Sequence, residues 1–382
     1  MSRKIRVLVV DDSALMRKLI PETLRRDPSI EVVGTAMDGL IGLKRIEDLH
    51  PDVVTLDLEM PRMDGMEMLR QITRKQRIPV IIFGARSEQG ADFALRALSV
   101  GAFDVVTKPD EAASGNLEQV AAELASRVRA AAKAGAPKLI PGEELLPNQA
   151  RKVLLGPRPA SRVIGIGVST GGPAALQYLF SQLPATFPGC LMVVQHMPEG
   201  FTERFARRLN DSSAIEVKEA RSGDLLLAGR ALICPGNRHL RVRRMDRGDV
   251  AMVVDAAPVN GHKPSVDVLF NSLAQEFRAK SAAVLMTGMG EDGVAGLGAV
   301  RAAGGYTVAQ SPETCVVDSM PRSAIDRRFA LRVVPLDQMA GALEAIGEPS
   351  QECASGLSHS PVSSATSPTV SPDDVAMRRR SL

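Results

Sequence analysis

A glycine-rich segment with a central serine is the strongest chemical signal in this sequence. Ser169 lies in Gly167-Val168-Ser169-Thr170-Gly171, which matches the G-x-S-x-G pattern of nucleophilic serines. Glycines on both sides allow a tight turn that exposes the hydroxyl, and Pro173 suits the first turn of a following helix. The N-terminus of that helix offers backbone N–H groups and a positive dipole end, which stabilise an oxyanion. The pattern predicts covalent catalysis by Ser169.

Dinucleotide binding is the main alternative for the same segment. Gly165 and Gly167 begin a G-x-G-x-x-G fingerprint, but Thr170 occupies the position of the third glycine. A dinucleotide site would also need an acidic residue near the end of the next strand. Gln195-His196-Met197-Pro198 stands there instead. Because a histidine suits a general base and does nothing for ribose hydroxyls, the sequence favours a hydrolase.

A serine nucleophile needs a base, since its free hydroxyl is a poor nucleophile. His196 follows a predicted strand at the end that faces Ser169, and we expect it to be that base. Two other histidines share this half of the chain. His239 could contribute to the site, and His262 begins the segment His262-Lys263-Pro264-Ser265.

The base in turn needs a group that fixes its tautomer. Asp292 lies in a glycine-rich turn after a third predicted strand and suits this role, with Glu291 as the adjacent alternative. Each element alone is weak evidence, because glycine-flanked serines are often turn residues and Asp-Gly dipeptides are ordinary turns. The joint placement of serine, histidine and carboxylate at strand ends carries the prediction.

A second, acidic site is predicted in the first third of the chain. Asp11 and Asp12 follow the first predicted strand, Asp57 ends the third, and Lys108 follows the fifth. Each aspartate alone would more often cap a helix, but ligands bind where the carboxyl ends of parallel strands converge. Three crowded carboxylates require a cation, and ligand sets of oxygen alone suit Mg²⁺. A carboxylate beside that metal can attack a phosphoryl group, with the lysine pairing the phosphate.

Strands and helices alternate along the first third of the chain, which indicates a parallel sheet covered on both faces. The predicted strands are Ile5–Val10, Glu31–Val33, Val53–Leu58, Val80–Phe83 and Val105–Thr107. The predicted helices include Ala14–Arg26, Met66–Arg74 and one near Asn116–Ala134.

The second half repeats this alternation and predicts another α/β unit. Its predicted strands are Val163–Ile166, Cys190–Val194, Ala231–Ile233, Ala251–Val254 and Ala282–Met286, with a β-hairpin around Arg241–Val254. Its predicted helices include Pro173–Gln182, Phe201–Leu209 and Val266–Phe277.

Composition marks the boundaries between these units. We expect one domain over residues 1–134, a linker with five prolines over 135–160, a second domain over 161–348 and a tail over 349–382. The tail is rich in serine and proline, cannot bury a core, and is expected to be disordered.

Charge and hydropathy exclude several classes of function. The net charge of +3 and the aromatic content of 3% argue against a nucleic-acid partner. No apolar run is long enough to enter a membrane, and the four cysteines show no pairing pattern, so a cytoplasmic protein is expected.

The first unit resembles the receiver domain of two-component response regulators from Ile5 to about Ala131. The resemblance rests on Val9-Val10-Asp11-Asp12-Ser13, on Leu56–Gly65, and on Thr107-Lys108-Pro109. It implies a flavodoxin-like, five-stranded parallel sheet in which Asp57 accepts the phosphoryl group and Lys108 contacts it. It further implies that Asp12, Asp57 and the Glu59 carbonyl ligate Mg²⁺, with Asp11 acting through water.

Two receiver positions depart from that family's pattern. Gly84, followed by Ala85, stands where receivers usually carry a serine or threonine, and Val105 stands where they usually carry a switch aromatic. We therefore expect phosphorylation of this chain to raise its activity less than in typical relatives.

The second unit resembles the catalytic domain of the CheB family of chemotaxis methylesterases from about Arg162 to Ile346. Besides the serine segment, the resemblance rests on Gln195–Pro198, Cys234–Leu240, His262–Asp267, Thr287–Gly290 and Met320-Pro321-Arg322. It implies a Rossmann-like α/β domain in which Ser169 is the nucleophile, His196 the base and Asp292 the orienting acid. The backbone N–H groups of Thr170 and Met289 would form the oxyanion hole, and no cofactor is implied in this domain. Ser319 stands where the family usually has glycine, which we expect to perturb one loop only.

Together the resemblances imply a phosphorylation-regulated hydrolase of bacterial chemotaxis. Its substrates would be glutamate methyl esters and selected glutamines of methyl-accepting chemoreceptors, and its phosphodonor the chemotaxis histidine kinase. The unphosphorylated receiver would cover the esterase cleft. The alternatives are a catalytically silent adaptor that binds receptor or kinase, and a transcriptional regulator, which would need a basic helix-turn-helix that residues 161–346 do not show.

Overall fold

The computed structural model describes residues 3–84, 87–108, 117–136 and 156–348. Most of the predicted linker and the whole predicted tail lie outside the described residues. Within the described residues, no helix combines the length and the apolar character needed to cross a lipid bilayer.

The N-terminal half is built around a parallel sheet. Its strands are β1 (Ile5–Val10), β2 (Ile30–Ala36), β3 (Val53–Leu56), β4 (Val80–Gly84) and β5 (Asp104–Thr107). The helices between and after them are α1 (Ala14–Leu24), α2 (Gly39–Leu49), α3 (Gly65–Lys75), α4 (Glu88–Val100) and α5 (Leu117–Ala134). The strand order is β2-β1-β3-β4-β5, which confirms the predicted five-stranded sheet.

Alternate residues of β1 explain why both faces of this sheet carry helices. Val7 and Val9 pack with residues of α1 and α5, whereas Leu8 and Val10 pack with residues of α2 and α3. Successive side chains of a strand point to opposite faces. A continuous run of apolar residues therefore needs cover on both sides.

The C-terminal half holds a larger parallel sheet. Its strands are β6 (Val163–Val168), β7 (Cys190–Gln195), β8 (Glu216–Glu219), β9 (Arg230–Ile233), β12 (Ser281–Leu285), β13 (Tyr306–Gln310) and β14 (Arg332–Val334). The predicted hairpin is present as a separate antiparallel pair, β10 (His239–Arg243) and β11 (Val250–Val254). The helices are α6 (Gly172–Gln182), α7 (Phe201–Asp211), α8 (Val266–Phe277), α9 (Val294–Ala302), α10 (Ser319–Asp326) and α11 (Met339–Gly347).

The order of this sheet, β14-β13-β12-β6-β7-β9-β8, places β6 in its middle. The chain builds outward from β6 in one direction through β7 and in the other through β12. Such a reversal of strand order opens a crevice beyond the carboxyl ends of the strands. The residues that follow β6, β7 and β12 therefore share one rim.

Some predicted boundaries are wrong by a few residues. The third strand ends at Leu56 rather than Leu58, because the Leu58 carbonyl turns away to accept a hydrogen bond from Gly65. The first helix ends at Leu24 rather than Arg26. Strands β8, β13 and β14 were not predicted from the sequence; they are short or lie toward the edges of the second sheet.

Candidate active site

Ser169 occupies the tight turn between β6 and α6. Its N–H donates to the Thr287 carbonyl at 3.0 Å, and its own carbonyl accepts from Gly172 at 2.8 Å. Gly171 has a φ of +77°, and a Cβ there would lie 2.5 Å from Val316. Glycine is therefore required at this position for both conformation and space. The turn fixes the Ser169 backbone at the rim of the sheet.

His196 lies beside Ser169 on the neighbouring strand end. Val168 pairs with Gln195 in the parallel register of β6 and β7, and His196 N–H donates to the Val168 carbonyl at 3.2 Å. Because paired strands are about 4.8 Å apart, the next residues, Ser169 and His196, are close neighbours. The Ser169 hydroxyl makes no hydrogen bond to a described residue.

Asp292 joins His196 from the turn after β12. The His196 Nε2 and Asp292 Oδ2 atoms are 2.8 Å apart. Asp292 also accepts from the Ser265 hydroxyl at 2.7 Å and from the N–H groups of Val266 and Asp267 at 2.7 and 3.2 Å. The carboxylate thus caps the N-terminus of α8, where the helix dipole favours a negative charge.

The electrostatics of this pair favour a neutral imidazole beside an ionised carboxylate. Burial opposes the charge of Asp292, but hydrogen bonds from His196, Val266 and Ser265 outweigh burial and lower the pKa of Asp292. Burial also disfavours the charged form of His196, and this outweighs the attraction of Asp292, so the pKa of His196 is lowered. Since an ionised carboxylate can only accept, Nε2 carries the proton and Nδ1 is left as the basic nitrogen.

Two backbone N–H groups beside Ser169 are available to an anion. Neither Thr170 nor Met289 donates its backbone N–H to a described residue. The Thr287 hydroxyl fixes the Thr170 carbonyl at 2.9 Å. A Cβ on Gly288 would lie 2.8 Å from the Ser169 Cβ, so only glycine lets the turn that carries Met289 approach the serine. These N–H groups could stabilise a negative oxygen formed at Ser169.

Two alternatives named from the sequence make no hydrogen bond to Ser169 or His196 among the described residues. His239 is buried, with its ring nitrogens bonded to the Ala257 carbonyl at 3.0 Å and the Ser265 N–H at 3.2 Å. Glu291 is exposed and pairs with Arg327 at 2.7 Å. These contacts give His239 and Glu291 structural roles.

Ser319 bonds to the turn that carries Met289. Its hydroxyl donates to the Gly288 carbonyl at 2.9 Å and accepts from the Gly290 N–H at 3.1 Å. The serine in place of glycine therefore adds two bonds to a neighbouring loop.

The acidic groups of the N-terminal half also meet at one point. Lys108 Nζ lies 2.6 Å from Asp57 Oδ2 and 2.9 Å from Asp11 Oδ2. Carboxylate oxygens of Asp11, Asp12 and Asp57 lie within 4.8 Å of one another. Burial raises the pKa of Asp11 against the opposing effect of Lys108. Burial alone would lower the pKa of Lys108, but its contacts with Asp57 and Asp11 raise it. This set of oxygen donors fits Mg²⁺.

The two halves of the chain touch at Thr170, which sequence patterns did not indicate. Its hydroxyl donates to Asp104 Oδ2 at 2.6 Å and accepts from Arg127 at 2.5 Å, and Arg127 also pairs with Asp104. The Ser126 hydroxyl lies 3.7 Å from the Met289 sulfur. Residues of β5 and α5 thus contact both Thr170 and Met289, the two residues whose backbone N–H groups have no acceptor among the described residues.

A cavity of about 440 Å³ lies at this contact. It is lined from the C-terminal half by His196, His262 and Lys263, and from the N-terminal half by Val105 and Arg127. His196 therefore shares this cavity with residues of the N-terminal half.

Comparisons with known proteins match both halves. A family model described as CheB methylesterase matches residues 164–343, and one described as response regulator receiver domain matches residues 7–117. A protein-glutamate methylesterase/protein-glutamine glutaminase of Koribacter versatilis is 58% identical over 89% of this chain and 95% of its own length. One from Pseudomonas aeruginosa is 41% identical over 89% and 96%. The CheB methylesterase catalytic domain of Thermotoga maritima is 37% identical over 48% of this chain and 98% of its own, with a TM-score of 0.47.

Proposed function

The chain belongs to the family of protein-glutamate methylesterases/protein-glutamine glutaminases, and from this membership we propose that it demethylates glutamates and deamidates selected glutamines of chemoreceptors. The observation that carries the proposal is the meeting of Ser169, His196 and Asp292 at neighbouring strand ends. The methyl-accepting receptor is the substrate, and the site of action is the cytoplasm.

Ester hydrolysis at this site proceeds through a covalent intermediate. His196 Nδ1 takes the Ser169 proton as Oγ attacks the γ-carboxyl carbon of the substrate. The N–H groups of Thr170 and Met289 bind the resulting oxyanion. The imidazolium returns the proton to the leaving methoxide, and methanol departs from a glutamyl-serine ester. Water, deprotonated by His196, then attacks the ester, and the imidazolium returns this proton to Ser169 Oγ as glutamate is released. With glutamine as substrate, ammonia is the first leaving group.

The pH dependence of hydrolysis follows from the lowered pKa of His196. Since catalysis needs a neutral imidazole, activity is lost as the pH falls through the pKa of His196. We expect the acid limb of kcat/KM to lie below about 6.5, the ordinary value for histidine. Methanol release should be measured across about pH 5–8. An acid limb above the ordinary value would contradict the assignment of His196 as the base.

Phosphorylation at Asp57 is the proposed control. The Asp57 carboxylate takes the phosphoryl group from the phosphohistidine of the chemotaxis kinase, and Lys108 pairs with the transferred group. Asp12, Asp57 and the Glu59 carbonyl would hold Mg²⁺, with Asp11 acting through water. The metal would neutralise the crowded carboxylates and the incoming phosphoryl charge.

We expect the gain from phosphorylation to be small in this chain. Gly84 at the end of β4 offers no hydroxyl to the phosphoryl group, and Val105 in β5 has no ring to rotate. Activation should stay below about fivefold, the lower end of typical coupling between sites. The measurement compares methanol release with and without a small phosphodonor and Mg²⁺, with Asp57→Asn as the control. A large gain that Asp57→Asn abolishes would refute this expectation.

The proposed activity is tested on membranes that carry methyl-labelled receptors. The full chain should release labelled methanol, and a serine-directed inhibitor should label Ser169 and stop the release in parallel. A chain that binds these membranes without releasing methanol would instead be an adaptor.

A further inference from the structure

A second imidazole lies directly on the proposed base. The rings of His262 and His196 are stacked, with centroids 4.4 Å apart and planes inclined by 19°. The proton transfers proposed above do not use His262. Its ring lines the same cavity as His196.

A tight turn fixes the place of His262. Val259 and His262 exchange backbone hydrogen bonds of 3.0 and 2.9 Å, and the two residues between them are Asn260 and Gly261. Their φ values are +52° and +78°. Both central residues are left-handed, as in a type I′ turn, which favours Asn-Gly for this reason. The turn gives His262 one defined backbone position.

Hydrogen bonds tie this turn to the support of Asp292. His262 Nδ1 donates to the Asn260 carbonyl at 2.9 Å, and the Asn260 amide donates to Asp267 at 3.2 Å. Asp267 is buried, and its own N–H donates to Asp292 Oδ1 at 3.2 Å. Asp292 and His262, which both contact the His196 ring, are therefore anchored at the N-terminus of α8.

We propose that His262 is a positioning residue that holds the His196 imidazole in its reactive orientation. Asp292 fixes the Nε2 edge of the ring, and the His262 face blocks rotation of the ring into the 440 Å³ cavity. Nδ1 of His196 is thereby kept available to Ser169. The inference rests on the proposed function, since it assigns a role at the same site.

Groups from several elements act on the protonation of His196. Asp292 from the turn after β12 favours protonation, whereas His262 and Arg127 of α5 oppose it. The other charged groups that line the cavity are Asp104, Glu123 and Lys263. Removing the His262 ring admits water to His196 and removes one opposing group. Both changes raise the pKa of His196.

Two substitutions distinguish a positioning role of His262 from a purely structural one. His262→Ala should lower kcat by about 10- to 100-fold, the scale of a misplaced reacting group, with KM unchanged and the acid limb of kcat/KM moved to higher pH. His262→Phe keeps a stacked ring and should recover most of kcat, with an acid limb between those of the wild type and the alanine variant. Thermal unfolding midpoints show that the variants fold, and His50→Ala, at an exposed histidine after α2, is the matched control.

The inference would be overturned if His262→Ala kept the wild-type kcat and the wild-type acid limb of kcat/KM. It would also be overturned if His262→Ala and His262→Phe lost the same factor in kcat while the acid limb stayed in place. Ser169→Ala, assayed in parallel, separates this failure from failure of the proposed function. An active Ser169→Ala would refute the esterase site itself. An inactive Ser169→Ala beside a fully active His262→Ala would refute only the role of His262.

Discussion

Replacing Ser169 with alanine is expected to lower kcat for methanol release by about 10⁶-fold, the scale seen when the nucleophile of a serine triad is removed. The hydroxyl has no hydrogen-bond partner among the described residues, so its loss breaks no bond of the fold. The backbone of the turn is held by Thr287 and Gly172, which the substitution leaves in place. KM should therefore change little.

The receiver provides an internal control for this variant. Asp57 follows β3 of the other sheet, so Ser169→Ala should accept a phosphoryl group from a small donor at the wild-type rate. Loss of both activities would indicate misfolding. If Ser169→Ala accepted the phosphoryl group and still kept substantial esterase activity, the nucleophile would be a residue other than Ser169.

Replacing Asp292 with asparagine is expected to lower kcat by about 10⁴-fold, as loss of the orienting carboxylate does in a serine triad. The carboxylate accepts hydrogen bonds from His196, Ser265, Val266 and Asp267. Asparagine would replace one accepting oxygen with an NH₂ group, which is itself a donor and cannot accept from these groups. The free energy of unfolding should fall by about 1–3 kcal/mol, because a buried donor at the start of α8 loses its partner.

Glu291→Gln is the matched control for this prediction. Glu291 is the adjacent acid, but it is exposed and paired with Arg327. Its change should leave kcat within about twofold, because exposed ion pairs contribute little. Methanol release and urea unfolding should be measured for both variants. Equal effects of the two substitutions would remove Asp292 from its assigned role.

The sequence predicted those parts of the fold that short-range patterns encode. β1 and α8 were predicted to the residue, because Val-rich and amphipathic runs end there at polar residues. Ser169, His196 and Asp292 could be placed on one rim because each follows a strand of a parallel sheet. The structure adds the hydrogen bond between His196 and Asp292 and the capping of α8 by Asp292. The spacing of residues along the chain does not reveal either contact.

Contacts between distant segments could not be predicted in this way. Asp104 and Arg127 are ordinary charged residues of β5 and α5, and only the packing of the two halves brings them to Thr170. The stack of His262 on His196 likewise depends on a turn 66 residues away along the chain. The Asn-Gly dipeptide before His262 was the one local signal for that turn.

The Thr170 hydroxyl, held between Asp104 and Arg127, has a thermodynamic consequence for the receiver. Linkage between two binding sites is reciprocal, so each ligand alters the affinity for the other by the same factor. If a phosphoryl group at Asp57 favours separation of these side chains, a ligand that fills the cleft and displaces Arg127 must strengthen binding of a phosphoryl mimic at Asp57 to the same extent. Occupancy of the cleft by substrate is then itself an input to the receiver.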